Sequence, residues 1–157
     1  VGYQMTIRFL PNYIYNKVHN RAFERNVSDN ILSYHDLPTD TLRSVVMPNP
    51  DFLYVATFYN LSDGDFQLTG TMPDSTYWSL SFYEPNTVNY YVKNDMEFGT
   101  SNLNITLTKN KNKIKSSTEI IESPADKGFM LIRILVTDAS QVKAFKTLQE
   151  SVKFTPL

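Results

Sequence analysis

The stretch "GFMLIRILV", residues 128–136, leaves this chain few architectures to choose from. It is apolar at nearly every position, so both of its faces must be covered, as in the central strand of a sheet. Around it, from Leu42 to Val136, runs of strand character alternate with turn residues. "LRSVVM" (42–47) precedes "FLYVATFYN" (52–60) and "FQLTGTM" (66–72). "STYWSLSFYE" (75–84) alternates strictly, with Trp78, Leu80 and Phe82 on one face and Ser79 and Ser81 on the other. "TVNYYVKN" (87–94) groups Val88, Tyr90 and Val92, and shorter runs follow at "LNITLT" (103–108) and "STEIIES" (117–123). Turns recur about every ten to twelve residues, the spacing of an antiparallel sandwich or barrel.

The flanks change period. "YQMTIRFLPNYIYNKVHNRAFER" (3–25) reads as helical, with Pro11 opening or kinking it. Ile14, Val18 and Ala22 form its apolar stripe, while Arg8, Lys17, Arg21 and Arg25 occupy the rest. This segment is expected either to pack on the domain or to form a basic collar beside a membrane anchor. Residues 26–42 have the Asn, Asp, Ser, Pro and Thr density of an irregular lead-in. In "DASQVKAFKTLQESV" (138–152), Asp138 and Gln141 make a capping box, and Val142, Phe145, Leu148 and Val152 form a face that can dock on a sheet. The expected organisation is a lead-in over 1–41 and a β-sandwich with a C-terminal helix over 42–157. The chain starts at Val1, so an anchor or signal upstream is also expected.

A length of 157 residues supports a single domain with a real core. Fifteen basic residues against sixteen acidic give no electrostatic reason to bind nucleic acid. The chain has no cysteine, so disulfides, thiolate metal sites and a cysteine nucleophile are excluded. His19 and His35 are the only histidines and lack ligand spacing, so no metal and no cofactor is expected. The four alternate lysines of "KNKNKIK" (109–115) read as a solvated loop. Asp63-Gly64-Asp65 offers too few oxygens for calcium and reads as a hairpin turn.

The corner Asn49-Pro50-Asp51 has two readings. It is a turn that leads into a strand, or it holds a carboxylate at the sandwich mouth within reach of Tyr54. For acid–base chemistry the candidates are Asp51, Glu84 and Asp95, each at the end of an expected strand. Glycosidases need such carboxylates roughly 5 to 9.5 Å apart. For a ligand or partner surface the candidates are Asn49, Asp51, Tyr54, Tyr77, Tyr83 and Tyr91, since alternation turns some of these aromatics outward.

Three blocks carry a family resemblance: "MPNPDFLYVATFYNLSDGDFQLTG", "STYWSLSFYEPNTVNYYVKND" and "IIESPADKGFMLIRILV". Their order and spacing resemble the bacterial domain of unknown function 1254, in its short, single-domain alphaproteobacterial form. The likeness covers residues 45–136, with a looser match in the terminal helix. It implies a mainly β, jelly-roll-like sandwich and an exported protein with an N-terminal membrane anchor. It also implies a companion, domain of unknown function 1214, fused or encoded nearby. Longer relatives carry Asn-Pro-Asp-Thr-Leu-Tyr where Phe52 here replaces the threonine, which puts a ligand role of that position in doubt. The resemblance brings no reaction with it. The expected function is a non-catalytic envelope module on the periplasmic side of the cytoplasmic membrane, bound to a protein partner. The alternative is an enzyme or glycan-binding protein that uses carboxylates and tyrosines at the sandwich mouth.

Overall fold

A computed structural model describes residues 13–20, 28–37, 49–113 and 119–157. Helix α1 spans residues 13–20. It is followed by β1 (Ser33–His35), β2 (Phe52–Asn60), β3 (Phe66–Thr71), β4 (Trp78–Tyr83) and β5 (Asn89–Asn94). A short helix α2 (Asp95–Phe98) leads to β6 (Asn102–Thr108), β7 (Glu119–Glu122) and β8 (Lys127–Leu135). Helix α3 (Val142–Ser151) and β9 (Lys153–Pro156) end the chain.

The strands form two facing sheets, ordered β1-β2-β8-β4-β5 and β7-β6-β3-β9. The apolar run at 128–136 does become the central strand: β8 lies antiparallel between β2 and β4. Its Met130, Ile132 and Ile134 point into the core with no exposure, beside Leu53 and Val55 of β2 and Trp78, Leu80 and Phe82 of β4. Leu68, Leu103, Ile105, Leu107 and Phe154 close the core from the other sheet. Each such side chain contributes about 1.5–3 kcal/mol when fully buried. One pair, β6 with β7, is parallel in an otherwise antiparallel arrangement.

Each open side of the sandwich has its own closure. On one, the Tyr34 hydroxyl of edge strand β1 donates to the Val152 carbonyl at the start of β9, at 2.8 Å. Beside it α3 buries Phe145 and Gln149. The Gln149 amide donates to the carbonyls of His35 (2.9 Å) and Tyr54 (2.8 Å), which ties α3 to β1 and β2. On the other side, Glu119 of β7 accepts from the Tyr91 hydroxyl (2.9 Å) and from Lys93 Nζ (2.9 Å) of β5. Phe98 of α2 stacks on Trp78 at 4.9 Å, below Lys93.

The structure departs from the sequence expectations at several places. Asp63-Gly64-Asp65 is a turn but not a hairpin: β2 and β3 lie in different sheets, so it carries the chain across the sandwich. Gly64 supplies the positive φ of 146° that this crossing uses. Val88, Tyr90 and Val92 do not share a buried face. The register jumps from Phe82↔Tyr91 to Tyr83↔Asn89, so Tyr90 is bulged out of the ladder. Tyr90 and Tyr91 then both pack on the core, while Val88 and Val92 are exposed.

On α1 the buried position is Tyr15, with Val18 and His19 half-buried, whereas Ile14 is exposed. The aromatic rings win the contact: Tyr15 and His19 sit 5.5 and 4.8 Å from Phe58 on the outer face of β2. Part of the expected irregular lead-in is strand β1, and strand β9 follows the expected helix, where no element was read from sequence. The Asp138–Gln141 capping box is present, but it opens a 3-10 turn that precedes α3. The strand expected at 42–47, Pro11, Ala22, Arg8, Arg21, Arg25 and residues 114–115 of the lysine run lie outside the described residues.

Candidate functional site

The corner at 49–51 is built by its own side chains. Asn49 Oδ1 accepts the Asp51 N–H at 3.0 Å, and the Asn49 carbonyl accepts the Phe52 N–H at 3.3 Å. This is an Asx turn running into β2. The Tyr54 hydroxyl reaches back, accepting the Asn49 N–H (3.0 Å) and donating to the Asn49 carbonyl (3.3 Å). The Asp51 carbonyl accepts the Val136 N–H at 2.8 Å, which fixes the corner to the end of β8. The polar atoms of Asn49 and Tyr54 therefore hold the turn, while the Asp51 side chain is exposed.

Period two along β2 places Phe52 and Tyr54 on the outer face of the first sheet, away from Leu53 and Val55. Arg133 of β8 stands opposite Tyr54, and Ser79 of β4 stands on its other flank. The guanidinium carbon of Arg133 lies 6.0 Å from the Phe52 ring centre, within cation–π range. Its Nη2 donates to Ser79 Oγ at 3.4 Å, a long hydrogen bond. Tyr77, just before β4, stands edge-on to Phe52 at 6.4 Å, and its carbonyl accepts the Leu135 N–H. None of the ion pairs among the described residues includes Arg133. The result is an arginine on a sheet face beside Phe52 and Tyr54, with Tyr77 against Phe52 and Tyr54 bonded to the Asn49–Asp51 corner.

The structure brings Asn49, Asp51, Tyr54 and Tyr77 to this one region and places the other candidates elsewhere. Trp78 pairs with Ile134 and Tyr83 with Phe129, so Glu84 lies at the opposite end of β4 from Tyr77. At about 3.3 Å per residue, the span from Tyr77 to Glu84 is roughly 23 Å along the strand. Asp95 follows Asn94, which pairs with Ser79, so it is at the Asp51 end but across β8 and β4 on the β5 side. Three strand spacings make that about 14 Å. Tyr83 packs on Phe129 at 6.3 Å near the Glu84 end. Tyr91 is turned toward Glu119, and its burial, reinforced by that carboxylate, raises its pKa. Among the described residues no three His, Cys, Asp or Glu side chains gather in a way that could hold a metal ion. An open cleft of about 350 Å³ between β1 and β9 is lined by Ile31, Leu32, Tyr34, Lys153 and Phe154 and includes none of the candidates.

Ser79 and Arg133 were not singled out from sequence, and Phe52 was noted only as a departure from the family pattern. The signals for them exist: Phe52 shares parity with Tyr54, and Arg133 is the one charge inside the apolar run at 128–136. Sequence reasoning also missed the buried hydroxyl cluster of Tyr59, Tyr90 and Ser123, joined at 2.9 and 3.0 Å. Burial raises the pKa of both tyrosines.

No curated protein matches the chain. By structure it is similar to the VPA0106 protein of Vibrio parahaemolyticus, with a TM-score of 0.76 at 13% identity over 96% of this chain. It is also similar to a putative uncharacterized protein from Burkholderia cenocepacia, with a TM-score of 0.61 at 12% identity over 98% of this chain. The chain spans 36% and 42% of those two chains, and at such identity the likeness concerns the fold. The sequence profile of the protein family of unknown function DUF1254 matches residues 29–156, and the chain belongs to that family.

Proposed function

With that membership as premise, we propose that the protein is a non-catalytic interaction module of the bacterial cell envelope. It engages a protein partner through the outer-face patch of Phe52, Tyr54, Tyr77 and Arg133. The composition of that patch carries the reading. Aromatic residues and arginine are the residue types that concentrate binding energy at protein interfaces. Here they stand together on rigid strands, with Arg133 outside every ion pair of the described residues. The carboxylates that an enzyme would need stand at separate places around the sheet, which supports the interaction reading over the catalytic one. The envelope location, the upstream anchor and the companion domain 1214 are proposed from what the family resemblance implies. Among the described residues no helix is long and apolar enough to cross a membrane.

The test is mild-detergent purification of the full-length protein from its native membrane, with a photo-crosslinking residue at position 77 and another at position 88. A stoichiometric partner crosslinked from position 77 and not from 88 is expected. A protein that always runs as a solitary monomer, with no crosslink at 77, refutes the proposal.

A further inference from the structure

Arg133 is half-buried on the sheet face. Among the described residues its one hydrogen bond is the long contact from Nη2 to Ser79 Oγ, at 3.4 Å. No buried side-chain nitrogen of the described residues lacks a partner, so its unbonded N–H groups reach the surface, where a ligand can meet them. The nearest hydroxyl on the β2 side is already committed, because Tyr54 is bonded to both backbone groups of Asn49. Asn94, next to Ser79 across β5, is committed too: its side chain accepts the Glu97 N–H as the cap of α2. Phe52 lies against the guanidinium at 6.0 Å and Tyr77 braces Phe52, so the fork is oriented by packing. Ser79, the small residue between Arg133 and β5, is itself fully buried.

Resting on the interaction reading above, we propose that Arg133 is the anchor for the carboxylate of an acidic side chain on the protein partner. The carboxylate lies in the plane of the fork and accepts two parallel N–H bonds, while the partner's neighbouring apolar atoms pack on Phe52 and Tyr77. A planar fork matches a carboxylate edge in a way that a lysine ammonium does not. The charge of the site selects the partner: a cation that meets no carboxylate among the described residues, set beside aromatic rings, calls for an anion with apolar neighbours. Asp51, exposed at the corner and outside ion-pair distance of Arg133, does not fill that role.

The experiment uses the full chain and two blocked dipeptides, acetyl-Phe-Glu-amide and acetyl-Phe-Gln-amide, followed by NMR at the Arg133 Nε–H. The Glu probe is expected to shift that resonance and to bind about tenfold tighter than the Gln probe, as a bidentate charge-assisted pair requires. Arg133→Gln removes the preference, and Arg133→Lys, which keeps the charge and loses the fork, reduces it by several-fold. The lysine variant decides the matter if the glutamine variant folds poorly. Equal binding of the two probes, or a preference that survives both substitutions, overturns the proposal. So does inorganic phosphate that displaces the Glu probe more strongly than acetate does, which would make the site a phosphate site. A native partner still crosslinked by Arg133→Gln overturns the carboxylate anchor and leaves the interaction reading standing. A Glu preference in a protein without any native partner does the reverse.

Discussion

Replacing Gly128 with alanine is expected to be the most damaging single-methyl change in this protein. Gly128 pairs directly with Tyr59 across β2 and β8, and the Tyr59 ring folds over it. A Cβ there would overlap the Tyr59 hydroxyl, its Cζ and the Tyr83 carbonyl oxygen, all well inside the 3.0 Å that real Cβ atoms keep. The Tyr83 oxygen is backbone and cannot swing aside, so the ring must move. Overpacking of this kind costs about 1–3 kcal/mol. A displaced Tyr59 also loses its bonds to Tyr90 and Ser123, at about 1 kcal/mol each. The total is about 3–5 kcal/mol, a large part of the roughly 5–15 kcal/mol that holds a domain folded. Urea unfolding should show it as a lower midpoint at unchanged slope. In a thermal scan each kcal/mol lowers Tm by about 2–4 °C in a domain of this size. Tyr59→Phe removes the hydroxyl that heads the overlap. The double variant should then be more stable than the sum of the two single losses by at least about 1 kcal/mol. A Gly128→Ala loss below about 1 kcal/mol, or strict additivity with Tyr59→Phe, would refute the reasoning.

Gln149→Leu keeps the bulk of a side chain that is 1% exposed but strips the donors from the His35 and Tyr54 carbonyls. It should cost about 2–4 kcal/mol and speed amide exchange in β1 ahead of β8; equal protection in the two strands would contradict this. Tyr15, Tyr34, Tyr59, Tyr90 and Tyr91 all have pKa values raised above the ordinary 10.0, chiefly by burial. The folded state therefore holds these protons more tightly than the unfolded chain does. The stability this represents is intact below about pH 10 and falls as pH rises beyond it. Urea midpoints that stay flat between about pH 9 and 11, or phenolate absorbance that appears before unfolding, would count against it. Tyr54→Phe should lower stability by no more than about 1 kcal/mol, since the corner is exposed. It should nonetheless loosen the Asn49 amide, seen as faster exchange, and weaken crosslinking at position 77.

The strands legible in the sequence are those whose burial is set by parity or by an unbroken apolar run. β2, β6 and β8 lie within a residue of where pattern places them, because Leu53, Ile105 and Ile132 leave one face no choice. What pattern could not carry was partnership. Asp63-Gly64-Asp65 is chemically a good hairpin turn, yet whether it joins two neighbours or two sheets depends on where β8 inserts. The bulge at Tyr90 is equally silent, since a single unpaired residue reverses every parity after it. β9, four residues with a proline, has too little signal to be told from a tail. The site divides in the same way. Asn49, Asp51, Tyr54 and Tyr77 were found by local chemistry, while Arg133 gained its meaning only when β8 placed it between Tyr54 and Ser79.

The position of β8 also sets a clock. β2 and β4 belong to one sheet but never touch in the ladder, because a strand that starts at Lys127 must come between them. The pairing Phe52↔Leu135 closes a very long loop before any of its contacts can help to hold it. Sandwiches built on such distant pairings fold on the millisecond-to-second scale. During synthesis, β2 through β6 therefore wait, with their apolar faces uncovered, until the last quarter of the chain arrives.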